Sequence, residues 1–477
     1  RWTDKLGKPE LCTNCKPFIK TKNVIVAPNY GSLFNNQIFS KALTNKLKYI
    51  LANSNITSNY YVRIGNVVEK PTFRNEKEYN NMLYPDAGYR LLALYRYWNM
   101  IQYFFPSRHL ITEDWNKVLP TSIYEYVNAK NKTDYAVATA KLISTIHDSH
   151  AFIQSAVLED FEGRYCVPFQ AKFIEDKLVV TDYYKDTLNV KEKFKTGDII
   201  TAINGTLVKD LMRKYLPLTS ASNYTTQLRD LPGAYLLRSN NPKFSFSIIR
   251  NNQFLKVDAA AAETYKINVY QKDWNPNART PGYCLINSQI GYLVAGNYKN
   301  SDLNDIKKTF AGTKGIIVDL RCYPSDVLEN TFGNYIKPFS SVFVRYTVGS
   351  VRNPGSFKLF STYKNGEKTG DNYQGKVVVI VNEITQSNAE FVTMAFQSGP
   401  NVKVIGSTTS GADGNISEIK LPGGITTYIS GIGVFYPDRT KTQRTGVKID
   451  YVIKPTIQGI KAGRDELLEK AQELILK

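Results

Sequence analysis

The chain has 477 residues, 42% of them hydrophobic, which is enough for roughly two to four domains with buried cores and too apolar for a disordered tail. No window reaches the roughly 18 to 20 apolar residues of a membrane-spanning helix, and the opening "RWTDKLGKPELC" lacks the apolar stretch of a secretory leader, so the expected context is either cytosolic or that of a mature form whose leader was removed. Lys plus Arg exceed Asp plus Glu by 61 to 42, for a formal charge of +19, but the basic residues are spread along the whole length with no dense cluster and no zinc finger, which argues against a nucleic-acid partner.

Residues 1–78 alternate short β-like runs ("NVIVAPNY", "NYYVRIGNVVEK") with one helical stretch, "KALTNKLKYILANS", and are expected to form a small N-terminal α+β domain. Cys12 and Cys15 are the only close pair among five cysteines. Cys166, Cys284 and Cys322 stand apart with no nearby histidine, so neither a structural zinc nor any other metal or cofactor is expected.

From about Tyr84 the character changes. "DAGYRLLALYRYWNMIQYFF" places apolar residues at three-to-four spacing and stops at Pro106, and two further helical patterns follow, "WNKVLPTSIYEYVNA" and "DYAVATAKLISTI". Residues 79–160 therefore read as a helical subdomain ending at "HDSHAFI". Residues 161–265 turn to short strands, with Asn204-Gly205 as a turn signal inside "FKTGDIITAINGTLV". Residues 266–477 alternate strands and helices, and the Pro- and Gly-containing stretch at 276–283 is the expected linker into them. That alternation predicts an α/β layer, whose active groups gather at the carboxyl ends of the strands.

Three loops follow those strands: "RCYPSD" after "GIIVDL", "NEITQSNAE" after "VVVIV", and "STTSGADG" after "VKVIG". Ser387 lies between an aliphatic run and the helix-forming "AEFVTMAF". Two readings of it stand side by side: a nucleophile at a strand-to-helix turn, or a helix N-cap. A serine nucleophile needs a base, and only three histidines exist. His109 reads as a surface residue, while His147 and His150 sit where the helical subdomain gives way to the next element.

"HDSHAF", "GYLVAGNY", "IIVDLR", "TQSNAEF", "GSTTSGADG" and "GVKIDYVI" occur in the order found in C-terminal-processing and tricorn-like serine peptidases, and over residues 85 to 475 the chain resembles that family. The resemblance implies an α/β crotonase-like (ClpP/crotonase-type) catalytic core, preceded by the helical subdomain and a PDZ-like β-rich domain. It offers two catalytic versions. The serine–lysine version is excluded by Ala412, which stands where the lysine would be. The tricorn-like version implies Ser387 as nucleophile, His150 as general base and then acid, and Ser149 as a hydroxyl that helps fix the imidazole. It further implies a glutamate before a late "GV" strand, where this chain has Gln443, and an oxyanion hole formed by the amides of Asn388 and Ser325, the latter replacing a usual glycine.

The implied function is a serine endopeptidase acting on extended or unfolded polypeptide without metal. It would be secreted, periplasmic or cell-surface, with a lipid anchor in a longer precursor left open. The alternative is a catalytically impaired peptide- or polymer-binding protein on the same scaffold.

Overall fold

The computed structural model describes residues 18–53, 60–65, 69–185, 188–269, 274–275 and 280–477. Cys12 and Cys15, and half of the expected linker, lie outside them.

The helical subdomain begins where the sequence supplies caps. The Asp86 side chain accepts the Tyr89 amide ahead of helix Ala87–Phe104, Asp114 accepts that of Asn116 ahead of Trp115–Asn128, and Asn131 accepts that of Asp134 ahead of Lys132–Ser144. Arg90 is buried along its length and donates to the Tyr126 and Val127 carbonyls, satisfying the end of the second helix. The apolar faces of the three helices do not close on one another alone. Ile419, Leu421, Ile425 and Ile429, from a hairpin more than 270 positions later, complete their core.

The β-rich domain is an antiparallel sheet in the order Gln253–Ala260, Lys243–Arg250, Ile199–Ile203, Lys177–Tyr183, Phe169–Ile174. Asn204 and Gly205 both take positive φ, 48° and 78°, at the tight turn their dipeptide predicts. Phe169, Phe194 and Phe246 meet within the core of this domain. Among the described residues, strand Phe169–Ile174 lies at the end of this sheet, paired with Lys177–Tyr183.

The last region is built on a six-stranded sheet in the order Tyr283–Asn287, Ile290–Val294, Gly315–Asp319, Lys376–Val381, Val402–Gly406, Tyr451–Val452, antiparallel at its first pair and parallel thereafter. Both faces are covered, which is why its central strands read as unbroken apolar runs. Val377, Val379 and Val381 face the layer containing helix Asn388–Gln397, while Val378 and Ile380 pack under Leu467, Ala471 and Ile475 of the C-terminal helix.

The described part of residues 1–78 does not stand apart as a separate unit. Val24–Val26 adds a strand to Phe357–Asn365, and the Pro71 carbonyl accepts the Ser417 hydroxyl at 2.5 Å. Its short strands cannot enclose a core of their own, so they find partners on the later sheets. Among the described residues, no helix is long and apolar enough to cross a membrane.

Candidate active site

Ser387 sits between strand Lys376–Val381 and helix Asn388–Gln397 with φ 58° and ψ −121°. A non-glycine residue in that region costs on the order of 1–3 kcal/mol, so neighbours must hold it there. They do so through its amide, which donates to the Ala412 carbonyl at 2.9 Å and to Glu390 Oε2 at 3.3 Å. Glu390 is fully buried and also accepts the Thr409 hydroxyl at 2.5 Å and the amides of Gly411 and Ala412 at 2.8 and 3.0 Å. Burial raises its carboxyl above the ordinary range, and those donors pull it back. One carboxyl thus clips the "STTSGADG" loop to the turn that presents Ser387.

Gly406 makes the approach of that loop workable. Its φ is 130°, and a Cβ there would lie 1.8 Å from the Val381 carbonyl oxygen.

Ser387 faces a cleft of about 1420 Å³ that is also lined by Ser149, His150, Arg229, Gln386 and Asn388. The edge strand Phe169–Ile174 and helix Tyr224–Leu231 of the β-rich domain contribute to its wall. Ser387 and His150, 237 positions apart in sequence (387 minus 150), are therefore brought to one cavity, although no hydrogen bond joins them among the described residues. Catalytic hydrogen bonds commonly lengthen in unliganded enzymes.

His150 is 5% exposed and held by a network that the sequence did not announce. Its Nδ1 lies 2.9 Å from Ser430 Oγ, and Ser430 Oγ lies 2.9 Å from Asp148 Oδ1. Asp148 is fully buried and accepts the Ser430 amide at 2.6 Å and the His150 amide at 3.1 Å. A carboxylate only accepts, so the Ser430 hydroxyl donates to Asp148 and receives the Nδ1 proton of the imidazole. Nε2 then carries the lone pair. Burial lowers the His150 pKa, Asp148 raises it, and the Arg229 charge lowers it again, for a net shift below 6.5.

Three expected roles change. The hydroxyl of Ser149 donates to the Ser410 carbonyl at 3.2 Å and accepts the Ser222 amide at 2.8 Å, so Ser430, not Ser149, meets the imidazole. Gln443 does not reach His150 either: its Nε2 donates to Asp148 Oδ1 at 3.2 Å and Ser222 Oγ at 3.4 Å. The Ser325 amide donates to the Ala295 carbonyl at 3.0 Å, and its hydroxyl to the Tyr298 carbonyl at 2.5 Å. Ser325 is anchored by these two carbonyls and is not among the residues lining the cleft, whereas Tyr323 of the same loop is. Nearby, the Tyr323 amide donates to the Trp274 carbonyl at 3.2 Å. Asn388, the first helical residue, lines the cleft and has no acceptor within its helix for its amide.

The other histidines stay out of the cleft. His147 Nε2 lies 3.1 Å from Glu113 Oε2 on the outer surface, and His109 is exposed. Asp319 and Arg321 are structural: Arg321 pairs with Asp319 at 2.7 Å and with Asp465 at 2.7 Å. Asp148, Ser430, Arg229 and Glu390 are the site residues the sequence left unmarked. Only Asp148 had a signal, its place inside "HDSHAF".

Residues 289–453 match the model of peptidase family S41. Among solved structures, the chain is similar to mature CPAF complexed with lactacystin, with 11% identity over 82% of this chain and 98% of that chain and a TM-score of 0.65. A second crystal structure of mature CPAF gives 11% identity over 82% of this chain and 96% of that chain, with a TM-score of 0.62. At such identities the likeness is one of fold. No curated protein matches the chain in sequence. Residues 289–453 are thus similar to the domain of peptidase family S41, and the architecture around them is shared in fold with the solved structures.

Proposed function

We propose that the chain is a serine endopeptidase of the tricorn-like kind, hydrolysing extended or unfolded polypeptide through an acyl-enzyme. One observation carries the reading: Nδ1 of His150 is committed to Ser430, so the basic Nε2 is the ring nitrogen left for the cleft that Ser387 enters. Ser387 Oγ attacks the scissile carbonyl carbon as His150 Nε2 takes its proton. The Asn388 amide, at the positive end of its helix, stabilises the oxyanion. His150 then protonates the leaving amine, and the same nitrogen activates water to release the acyl group. The β-rich domain acts as the PDZ-like element, its edge strand Phe169–Ile174 adding substrate as a further strand that runs along the cleft.

The engaged amide of Ser325 favours a second reading, a peptide-binding protein without turnover. A serine-directed fluorophosphonate separates the two. Labelling of the full chain that disappears in Ser387→Ala, together with cleavage of an unfolded protein, supports the peptidase. Peptide binding with no labelling at any pH from 5 to 9 supports the binder.

A further inference from the structure

Asp413 lies beside the proposed nucleophile and takes no part in the steps above. It directly follows Ala412, whose carbonyl holds the Ser387 amide at 2.9 Å, and it lines the same cleft with Asn388, Tyr346 and Phe391. Its side chain is 5% exposed. Oδ1 accepts the Gly414 amide at 2.6 Å, whereas Oδ2 is buried with no hydrogen-bond partner. Among the described residues, no ion pair involves Asp413 or the neighbouring Glu390. The rings of Tyr346 and Phe391 stack at 6.3 Å with an interplanar angle of 21°, forming an apolar wall that reaches the cleft.

Two other charged side chains near Ser387, Glu390 and Arg229, have their partners. Glu390 has four donors, and Arg229 is paired with Asp230 while donating to the Glu383 carbonyl, Gln386 and the Ser410 hydroxyl. A buried carboxyl with an unused oxygen costs several kcal/mol if ionised without a counter-charge, so such a group is retained where a ligand supplies one.

We infer that this corner of the cleft is a subsite for a cationic side chain, Lys or Arg, next to the scissile bond, with Asp413 as its counter-ion. This rests on the peptidase reading and names the substrate class it takes. The alkyl stem of the lysine or arginine lies against Tyr346 and Phe391, and its charged end satisfies Oδ2. Burial and then the Glu390 charge push the free Asp413 carboxyl well above the usual range, so the arriving cation displaces a proton to solvent. The overall positive charge of the protein makes the selection local, because it comes from one carboxyl and not from the surface field.

The test uses the full chain carrying Ser387→Ala and fluorescent extended peptides that differ at one position, bearing Lys, norleucine or Glu. The Lys peptide is expected to bind about tenfold or more tighter than the norleucine peptide. In Asp413→Asn on the same background that ratio is expected to fall to about one, with circular dichroism reporting retained folding. Equal binding of the Lys and norleucine peptides before Asp413 is changed overturns the inference, and it does so even where Asp413→Asn fails to fold. In parallel, the cleavage sites in an unfolded protein are mapped with the unmodified chain. Cuts without an excess of Lys or Arg before the broken bond also overturn the subsite while leaving the peptidase standing. Absence of Ser387-dependent fluorophosphonate labelling overturns the peptidase reading instead, and the binding measurement still decides the subsite.

Discussion

Ser430 Oγ stands 2.9 Å from Nδ1 of His150, although the two residues are 280 positions apart. Asp148 receives the hydroxyl proton of that same serine at 2.9 Å, so a carboxylate steadies the imidazole through an intervening alcohol and not by direct contact. Removing the carboxylate charge while keeping its shape, in Asp148→Asn, is expected to lower kcat about 10³- to 10⁴-fold, the size seen when a buried orienting aspartate loses its charge. Ser430→Ala is expected to cost about 10²-fold with KM little changed, since the change removes orientation but not substrate contact. Steady-state kinetics on a fluorogenic extended peptide, with circular dichroism to verify folding, provides the check. Full activity in Asp148→Asn contradicts the arrangement.

Gln443 gives a less intuitive prediction. The family resemblance suggests that glutamate at this place would improve the enzyme. Here the Gln443 amide donates to Asp148 at 3.2 Å, and both side chains are buried. A glutamate would set two carboxylates against each other in a dry site, raising at least one pKa and cancelling a donor. Gln443→Glu is therefore expected to reduce kcat/KM by about tenfold at pH 7 and to lower stability by roughly 1–3 kcal/mol. Activity above that of the unchanged chain would contradict it.

The pH dependence follows from the direction of the His150 shift. Burial, partly opposed by Asp148 and reinforced by Arg229, holds the imidazole below 6.5. A general base must be neutral, and histidine is neutral above its pKa, so kcat/KM is expected to rise with pH through a limb on the acid side of 6.5 and to be flat by neutrality. Arg229→Gln removes a charge that disfavours the imidazolium, and its limb is expected to move toward higher pH. Profiles of both proteins between pH 4.5 and 8.5 check this, and a limb centred above 7 in the unchanged chain contradicts it.

Arg321 is expected to matter for stability and not for chemistry. It bridges Asp319, fully buried at the end of strand Gly315–Asp319, and Asp465 at the start of the C-terminal helix. Burial alone would raise the Asp319 carboxyl, yet the Arg321 guanidinium outweighs it and holds the group below its ordinary value. A depressed carboxylate contributes stability above its unfolded pKa and loses it as pH falls through the folded one. Arg321→Met removes the counter-charge of that carboxylate and is expected to cost about 3–5 kcal/mol at pH 7, with the deficit shrinking toward pH 3. Urea denaturation at several pH values measures it.

The motif "HDSHAF" contains Asp148 two residues before His150, yet its role is invisible in sequence because the hydroxyl that joins them comes from Ser430, at the end of a hairpin strand with no motif of its own. Ser325 illustrates the opposite limit. Its position fits the oxyanion loop by spacing, but whether its amide is free depends on the Ala295 carbonyl, supplied by another segment. Ser387 was easier to single out because its constraints are local: an apolar strand, a polar turn and a helix start lie within about a dozen residues of one another.

Periodicity, caps and turn dipeptides were enough to determine the helical stretch, the β-rich stretch and the late α/β alternation, because each rests on interactions a few residues apart. Order of motifs pointed to the serine and the histidine. Only the tertiary structure decided which donors each buried carboxyl receives, which hydroxyl touches the imidazole and which acid is left with an empty oxygen. Those outcomes depend on ångström-scale distances between segments hundreds of positions apart, and chain spacing carries no record of them.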